Sequence, residues 1–453
     1  MIKTTKNFNQ ERNFQGQRVG MVNLGCARNL VDSQTILGKM RRSGHRVVDI
    51  NEADIAIVNT CGFIAQAKQE SIDTIVELLE LKKQGKLKKV IVAGCLAQRY
   101  SEELRTEFKD IDAIIGAQKL DRDIIPEQVT LTPRHFAYVK ICESCYNRCS
   151  FCIIPKIKGK FVSRTMESIA QEIQKLDAQG VKEINLIGQD ITAYGMDLYH
   201  EYSLAKLLKK VIPLTKNIQW IRLLYAFPAH VTDELIEVIA SEEKICKYID
   251  MPLQHISDHL LSSMNRGIST QGTIDLVEKM RHKIPQGSLR TTFIVGMPGE
   301  TDQDFSELKS FIEKVRFEKL GVFVYSREEG TAAYDMPGQV AEKIKKNRLD
   351  ELMQIQQGIS KDVQENFLGQ TLKVLIEEPV ENPVILSAAK DLRDPSATPQ
   401  DDKSFTYLGR SEFDAPDVDG VVYVHSSREL AAGDFVNVKI TETYEYDCAG
   451  HLV

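Results

Sequence analysis

At 453 residues, the chain is long enough for two or three domains. Its hydrophobic content of 42% and mean hydropathy of −0.25 are typical of a globular protein, and no apolar run approaches the roughly 18 residues of a membrane-spanning helix. The polar N-terminus, MIKTTKNFNQERNFQGQR, lacks the apolar core of a signal peptide, so we expect a cytoplasmic protein with reduced thiols. Nine cysteines in that compartment favour metal binding or catalysis over disulfides.

The charge is unevenly distributed along the chain. From Gln370 to the C-terminus there are 7 Lys and Arg against 16 Asp and Glu, a net charge of −9, whereas the whole chain carries −6. An acidic C-terminal part repels the phosphate backbone of nucleic acids and attracts basic surfaces. The alternative interpretation is a solvated acidic face without a partner.

The first part of the chain alternates short apolar runs with helical patterns. The runs RVGMVNL, ADIAIVNT, KKVIVAG and IDAIIG predict strands, and residues 31–43 and the stretch AKQESIDTIVELLELKK predict helices. This alternation predicts an α/β fold with a doubly wound parallel sheet. We assign residues 17–130 to this N-terminal domain, which ends in a linker around IIPEQVTLTPR.

Three cysteines follow three of these predicted strands: Cys26, Cys61 and Cys95. They are 35 and 34 residues apart, which corresponds to one strand–helix unit each. Because open α/β sheets bind ligands at the carboxyl ends of their strands, we expect the three thiols to converge in one crevice and form a site of three thiolates. Any one of them alone would be interpreted as an ordinary buried cysteine.

A second alternating block extends from HFAYVKI to LGVFVYS. Its other predicted strands are VKEINLIGQD, WIRLLYAFP, YIDMPLQ and LRTTFIVGMPG. About six strand–helix units predict a partial TIM-type (β/α)6 barrel, whose reactive face lies at the carboxyl ends of the strands. A polar helix over residues 340–368 follows, and we assign residues 131–368 to the barrel domain with this connecting helix.

The last part of the chain is rich in strand patterns, namely TLKVLIEE, GVVYVHS and DFVNVKITE. They predict a small C-terminal β-barrel over residues 369–446. Residues 382–404 are rich in Pro, Asp and Ser and predict a disordered inserted loop. We expect Asp414, Asp417 and Asp419 to face a basic partner, and the alternative is that they only solubilise a loop or cap a turn.

Four thiols are concentrated in CESCYNRCSFC, residues 142–152. A zinc site would need a second pair of cysteines or histidines further along, and the spacing also differs from that of a bacterial ferredoxin. Cys145, Cys149 and Cys152 alone form C-x3-C-x2-C, and three thiolates on a four-iron cluster leave one iron open to bind a substrate. Cys142 is then surplus, and we expect it to end a strand as a small apolar residue.

The C-x3-C-x2-C spacing after the first strand of a barrel resembles the signature of radical S-adenosylmethionine enzymes, with Phe151 at the aromatic position of that motif. The motifs VNLGCARNLVDSQ, VNTCGFI and VAGCLAQRY are similar to those of the methylthiotransferase family. The resemblance covers nearly the whole chain, including a C-terminal domain of the TRAM type. It implies S-adenosylmethionine and two [4Fe-4S] clusters, one on the N-terminal triad (Cys26, Cys61, Cys95) and one on the barrel triad (Cys145, Cys149, Cys152).

Three further motifs match the family and, by resemblance, help to hold S-adenosylmethionine: GQDITAYGMDLY, MPLQHISDHLLSSMNRG and TTFIVGMPGETDQDF. The resemblance implies cofactor-binding roles for Phe151, Gln189, Asp190, Gly296 and Pro298.

The sequence also departs from the family pattern. Ser144 replaces the usual glycine before the first cysteine of the barrel triad, and Tyr146 replaces the usual asparagine after it. The loop 382–404 is foreign to the family.

The stretches DAPDVDGVVYV and AYGMDLY resemble the branch of the family that modifies a ribosomal protein. This implies methylthiolation of the β-carbon of an aspartate in small-subunit ribosomal protein twelve, with two molecules of S-adenosylmethionine. It also implies an electron donor such as a flavodoxin or ferredoxin, a sulfur donor, no membrane and a monomeric enzyme.

Two alternatives remain open. A tRNA methylthiotransferase acting on a modified adenosine would be expected to carry a basic C-terminal domain that holds phosphates, and this one is acidic. An electron carrier or a cluster scaffold would need neither an open iron nor a six-unit barrel. Cleavage of S-adenosylmethionine by the reduced protein separates the enzyme from the carrier.

Overall fold

The computed structural model describes residues 16–119, 129–380 and 405–453. Within these ranges the chain forms two parallel sheets and one closed β-barrel, and each has its own hydrophobic core. The predicted fold class, with an N-terminal parallel sheet, a partial barrel and a small C-terminal β-barrel, is confirmed. The predicted loop 382–404 lies outside the described residues. No helix of the described ranges is long and apolar enough to cross a membrane.

The N-terminal domain is a five-stranded parallel sheet in the order β2-β1-β3-β4-β5. Its central strand is buried along its whole length, as expected where helices cover both faces of a sheet. Its strands are β1 (Arg18–Asn23), β2 (Arg46–Val47), β3 (Ile55–Thr60), β4 (Lys89–Gly94) and β5 (Ala113–Gly116), and its helices are α1 (Ala27–Arg42), α2 (Ala65–Lys83), α3 (Cys95–Arg99) and α4 (Ser101–Glu107).

The barrel domain contains six parallel strands that do not close into a ring. Its strands are β6 (Phe136–Lys140), β9 (Glu183–Ile187), β10 (Trp220–Leu223), β11 (Ile245–Asp250), β12 (Ser288–Val295) and β13 (Lys319–Val324), with a small antiparallel pair, β7 (Cys142–Glu143) and β8 (Val162–Ser163), after the first. The strand order is β13-β12-β11-β10-β9-β6. The carboxyl ends of all six strands therefore lie on the same side of the barrel.

Helices cover the outside of this sheet, and their apolar sides form the largest hydrophobic core of the protein. Several begin with a side-chain cap; Thr301, for example, forms a reciprocal capping box with Asp304. The helices are α5 (Ile154–Lys158), α6 (Met166–Ala178), α7 (Leu204–Val211), α8 (Asp233–Ser241), α9 (Asp258–Ser263), α10 (Thr270–Lys283), α11 (Asp302–Val315) and the connecting helix α12 (Glu342–Glu365).

The C-terminal domain is a closed barrel in the order β14-β15-β16-β18-β17. Its strands are β14 (Thr371–Pro379), β15 (Phe405–Ser411), β16 (Val422–Ser426), β17 (Phe435–Thr443) and β18 (Cys448–Leu452). The sequence analysis missed β15 and β18, and β18 lies beyond the boundary predicted at residue 446. Both strands are required because β16 pairs with each of them in the ring.

The segment between β15 and β16 packs against strands β11 and β13 of the large barrel. The Asp414 carboxylate lies 2.7 Å from the Lys319 ammonium, and the Asp419 carboxylate accepts a hydrogen bond of 2.6 Å from the hydroxyl of Tyr248. Both carboxylates are largely buried, with side-chain exposures of 10% and 3%. The prediction that they face a basic partner is therefore wrong, because their charge is already neutralised within the chain. Of the three aspartates, only Asp417 is exposed.

Candidate active site

The three cysteines of the N-terminal triad follow three neighbouring strands, as their spacing predicts. Cys26 precedes α1, Cys61 follows β3 and Cys95 begins α3. Glycines allow the loops to approach closely: a Cβ at Gly25, whose φ is +89°, would lie 3.1 Å from the Cβ of Cys61, and one at Gly62 would lie 2.8 Å from the nitrogen of Leu96. Since real Cβ contacts are rarely this short, larger residues would push the three loops apart.

Asn29 connects these loops, a role that the sequence analysis missed. Its side chain is 2% exposed, and its amide nitrogen donates to the carbonyls of Leu24, at 2.9 Å, and Thr60, at 3.1 Å. Its amide oxygen lies 3.8 Å from the Cys95 sulfur. The asparagine thus fixes the positions of the residues that precede Cys26 and Cys61 while it contacts the third cysteine.

The barrel triad lies on the loop after β7. Ser144, in place of the family's glycine, has a left-handed φ of +65°, which explains why glycine is favoured at that position. Its hydroxyl donates a hydrogen bond of 2.6 Å to the carbonyl of Gly159, which helps to hold a conformation that costs a non-glycine residue energy. The loop is also tied to the barrel helices, since the nitrogen of Ser150 donates to the carbonyl of Met264.

Asp190 binds the loop that carries the barrel triad through the side chain of Asn147. Its carboxylate is 1% exposed and accepts hydrogen bonds from Asn147, at 2.7 Å, and from the Thr192 hydroxyl, at 2.6 Å, and it lies 2.9 Å from Nδ1 of His230. The Asn147 amide nitrogen in turn lies 3.7 Å from the Cys145 sulfur. The structure therefore places Asp190 behind the thiols, where both of its oxygens contact protein groups.

All six predicted cysteine ligands line one cavity of about 280 Å³ between the N-terminal domain and the carboxyl ends of the barrel strands. The sequence predicts two sites, one in each domain, and in the structure both line the same cavity. Cys142 does not line this cavity; it is 1% exposed, and its sulfur lies 3.5 Å from the carbonyl oxygen of Asp190.

The residues expected to bind the cofactor divide into two groups. Phe151 and Gln189 line the cavity, whereas Asp190, Gly296 and Pro298 do not. The nitrogen of Gly296 donates a hydrogen bond of 2.6 Å to the carboxylate of Glu300. This backbone donor is therefore already paired within its own loop.

Three cations line the cavity, Arg28, Lys158 and Arg266, and no Asp or Glu is among its lining residues. Arg266 is 4% exposed and lies 3.4 Å from the Cys149 sulfur through one guanidinium nitrogen, while another donates to the carbonyl of Pro252 at 2.6 Å. A positive wall suits thiolates and other anions. The sequence analysis did not single out these cations, although Arg266 lies within the quoted motif MPLQHISDHLLSSMNRG.

Three buried polar atoms at the cavity have no hydrogen-bond partner in the described part of the chain. They are Oε1 of Gln189, Oε1 of Gln254 and Nε of Arg266, two acceptors and one donor. Because buried polar groups are nearly always satisfied, this set points to a polar ligand that accepts from the arginine and donates to the amides.

The protein environment raises the pKa of most of these thiols. Burial raises the pKa of Cys61, that of Cys145 to about 11, and those of Cys95 and Cys152 to about 12. At Cys26 burial acts in the same direction, but the Arg28 guanidinium and nearby backbone N–H groups outweigh it and lower the pKa. A metal that binds these sulfurs as thiolates must therefore displace protons.

The ligand chemistry of the two triads suits iron–sulfur clusters. Each triad offers three cysteine sulfurs, and cysteine thiolates are the ligands that hold such clusters. In the described ranges, no three His, Cys, Asp or Glu side chains are close enough to hold one metal ion. The residues present therefore fit one cluster on each triad, bound through three cysteines.

Three family descriptions match the chain in sequence. Residues 18–116 match "Uncharacterized protein family UPF0004", residues 139–312 the "Radical SAM superfamily", and residues 399–453 the "TRAM domain".

Among curated proteins, the chain is 43% identical to the ribosomal protein uS12 methylthiotransferase RimO of Clostridioides difficile (strain 630), over 96% of this chain and 99% of that protein. It is 44% identical to the protein of the same name from Aquifex aeolicus (strain VF5), over 96% of each.

Solved structures share the fold at low sequence identity. The radical S-adenosylmethionine methyltransferase TsrM from Kitasatospora setae, with cobalamin and a [4Fe-4S] cluster bound, has a TM-score of 0.53 at 15% identity and covers 79% of this chain and 81% of its own. A second structure of TsrM, with tryptophan and an analogue of S-adenosylmethionine, has a TM-score of 0.51 at 14% identity, covering 81% of this chain and 79% of its own. This likeness concerns the fold alone.

Proposed function

The chain belongs to the family of ribosomal protein uS12 methylthiotransferases, and on that premise we propose that it attaches a methylthio group to the β-carbon of an aspartate in this ribosomal protein. The chain is a methylthiotransferase of the radical S-adenosylmethionine type. We further propose that it uses two [4Fe-4S] clusters and two molecules of S-adenosylmethionine, and that it works in the cytoplasm, where thiols stay reduced.

The observation that carries the proposal is the single cavity that both triads line. Each triad offers three thiolates, so each would leave one iron of a bound cluster open toward the shared space. A structural or electron-carrying iron–sulfur site is ordinarily closed by a fourth protein ligand. Two open sites across one cavity are suited to moving a sulfur-containing group from one side to a radical formed on the other.

The residues at the cavity fit S-adenosylmethionine. Its amino acid part carries an ammonium, which needs acceptors, and a carboxylate, which needs donors. Gln189 and Gln254 offer acceptors and Arg266 offers a donor, all without a partner among the described residues. Apolar side chains, among them Phe151 and Phe227, cover the cavity walls and help to exclude water from a reactive radical.

When bound, the reduced cluster and S-adenosylmethionine supply a deoxyadenosyl radical, which can remove a hydrogen that no side-chain base could take from carbon. In net terms, the C–H bond of the β-carbon is replaced by a C–S bond, and the hydrogen leaves on deoxyadenosine. One S-adenosylmethionine would leave as methionine and deoxyadenosine, and the methyl donor as S-adenosylhomocysteine. The electron released when the carbon radical joins the methylthio group would return to an iron–sulfur centre. The methyl group comes from a second S-adenosylmethionine, the sulfur from a sulfur donor and the electron from a donor such as a flavodoxin or ferredoxin. We expect the chain to act as a monomer.

The test is to incubate the iron-reconstituted, reduced enzyme with ribosomal protein uS12, and separately with tRNA, and to analyse the products by mass spectrometry. We expect one methylthio group on an aspartate of uS12 and none on tRNA. Modified tRNA with unmodified uS12 would support the alternative within the family. Failure to release deoxyadenosine with either substrate would contradict the radical mechanism.

A further inference from the structure

Tyr225 has a backbone conformation that is unusual for a bulky residue. Its φ is +71°, in the left-handed region, and such conformations persist only where the surroundings hold them. The residue lines the thiol cavity, and the guanidinium carbon of Arg28 lies 4.2 Å from the centroid of its ring. The ring therefore forms the surface against which Arg28 stacks.

Arg28 connects the two halves of the cavity. It lies two residues after Cys26, and its guanidinium donates a hydrogen bond of 2.9 Å to the carbonyl of Gly188, next to Gln189 on the barrel side. The side chain thus spans from the loop of the N-terminal triad to the barrel loop that carries a predicted cofactor ligand. Arg28 therefore forms a direct contact between the N-terminal side and the barrel side of the cavity.

Asp250 holds Tyr225 in place. Its carboxylate, 1% exposed, accepts a hydrogen bond of 2.9 Å from the nitrogen of Tyr225, and its carbonyl accepts one of 2.8 Å from the nitrogen of Ala226. The other carboxylate oxygen accepts a hydrogen bond of 2.8 Å from Arg290. Asp250 therefore connects the strained residue to the interior of the barrel.

The next contact comes from the C-terminal domain. Nε of Arg290 lies 3.5 Å from the carboxylate of Asp419. Asp419 itself is held by the hydroxyl of Tyr248, at 2.6 Å, and by the nitrogen of Ala415, at 2.9 Å. A continuous set of polar contacts thus extends from the C-terminal domain, through two buried carboxylates and one arginine, to the backbone of Tyr225.

We propose that Asp419 and Asp250 are positioning residues for methylthio transfer. Asp419 orients Arg290, Arg290 orients Asp250, and the Asp250 carboxylate fixes Tyr225, which in turn fixes Arg28 between the two triads. On this proposal the C-terminal domain contributes a residue, Asp419, that helps to position the transfer site without lining the cavity. The inference rests on the proposed function. Spatial contact alone does not demonstrate coupling, so the test measures it directly.

The first test replaces Asp419 with Asn, which keeps the shape and removes the charge that faces Arg290. The matched control is Asp434→Asn, in the same domain, where the exposed carboxylate accepts a hydrogen bond of 2.9 Å from the nitrogen of Ala431. The readout is the ratio of methylthiolated uS12 to deoxyadenosine. We expect Asp419→Asn to lower this ratio at least about tenfold, because small misplacements of reacting groups have large effects, and the control to keep it. A folding defect would lower both products together and leave the ratio unchanged.

The second test does not depend on activity. Hydrogen–deuterium exchange should be at least about threefold faster at the Tyr225 amide in Asp419→Asn than in the parent or the control, because the amide is protected by Asp250. The double variant with Asp250→Asn should exchange no faster than Asp250→Asn alone. If the Tyr225 amide exchanges equally fast in Asp419→Asn and in the control, the inference is overturned. A product ratio that is unchanged in Asp419→Asn would overturn it as well. If the parent makes no methylthiolated uS12, the proposed function fails, while exchange still decides whether Asp419 holds Tyr225.

Discussion

Arg266 gives the sharpest test of how the cavity holds S-adenosylmethionine. The guanidinium is 4% exposed, stacks 4.1 Å from the ring centroid of Phe227, and keeps one N–H without a partner in the described residues. Arg266→Met removes the donors and retains much of the side-chain volume. If the free N–H binds the cofactor carboxylate, the change removes a hydrogen bond to a charged group, which contributes about 1.5–3 kcal/mol. We therefore expect the Kd for S-adenosylmethionine to rise roughly 10-fold to 150-fold.

The assay is equilibrium binding of S-adenosylmethionine to the iron-reconstituted protein, with deoxyadenosine release as a second readout. Iron content must be measured as well, because Arg266 also contacts Cys149. The control is Arg281→Met, the same chemical change at an arginine that pairs with Glu318 and does not line the cavity. Arg266→Lys should lie between parent and Arg266→Met, because it keeps a charge and loses the planar fork. An affinity within about twofold of the parent at normal iron content would refute the reasoning.

Four further predictions follow from the site and the domain interface. Cys149→Ala should abolish both deoxyadenosine release and methylthiolation, because two thiolates do not hold the open cluster; retained release would contradict the assignment of the barrel triad. Replacing all three cysteines of the N-terminal triad should abolish methylthiolation and keep some deoxyadenosine release; methylthiolation at the normal rate would show that this triad is only structural. Cys142→Ser should keep iron content and activity near those of the parent at a stability cost of about 1 kcal/mol, and loss of one cluster's iron would contradict this. Glu183→Gln should lower the free energy of unfolding by about 3 kcal/mol in a urea titration, since Glu183 is fully buried between Arg222 and Arg410.

The effect of Glu183→Gln on the free energy of unfolding should depend on pH. Burial alone would raise the pKa of Glu183, but the guanidinium groups of Arg410 and Arg222 outweigh it and lower the pKa in the folded protein. A carboxylate with a lowered pKa stabilises the fold above its unfolded pKa of about 4.3, and this stabilisation is lost as the pH falls. The difference in unfolding free energy between parent and Glu183→Gln should therefore be full at pH 7 and shrink below about pH 4. If the difference in unfolding free energy between parent and Glu183→Gln grows as the pH falls, the pKa of Glu183 is not lowered in the folded protein.

The cysteine positions were predictable because local sequence determines them. Cys26, Cys61 and Cys95 each follow a short, mostly β-branched or apolar run of the kind that forms a buried strand, and parallel strands end on one side of their sheet. The barrel triad was predictable for a different local reason: Cys145, Cys149 and Cys152 lie within eight residues, so one short loop carries all three. The N-terminal fold was also predictable from local sequence, since strand and helix alternate with few interruptions.

The groups around the thiols were not predictable, because distant parts of the chain supply them. Asn29 acts through carbonyls that lie on two different loops, and Tyr225 owes its conformation to Asp250 on the next strand. Strand β18, with the sequence CAGHL, has no apolar alternation of its own. It forms because β16 and β17 offer it two free edges.

The acidic C-terminal domain shows why a charge count does not identify a partner. Asp414 and Asp419 contribute to the net charge of −9, yet cations about a hundred residues earlier in the chain neutralise them. The acidity that remains exposed, including Asp417, is therefore smaller than the count implies. The assignment to a ribosomal protein substrate consequently rests on the relatives rather than on charge.

The proposed transfer between the two triads would require that the N-terminal domain stay fixed over the barrel, and three sets of polar contacts can do this. Arg28 binds the carbonyl of Gly188, Lys158 on the barrel side pairs with Asp32 at 2.9 Å, and Arg99 pairs with Glu328 at 2.8 Å. The last two pairs are almost completely buried, with side-chain exposures of 8% or less. Such pairs are weak evidence for stability, because desolvation offsets their attraction, but they penalise any other docking geometry that leaves a charge unpaired. Together these contacts favour one fixed separation of the two triads, which is what the proposed direct transfer would demand.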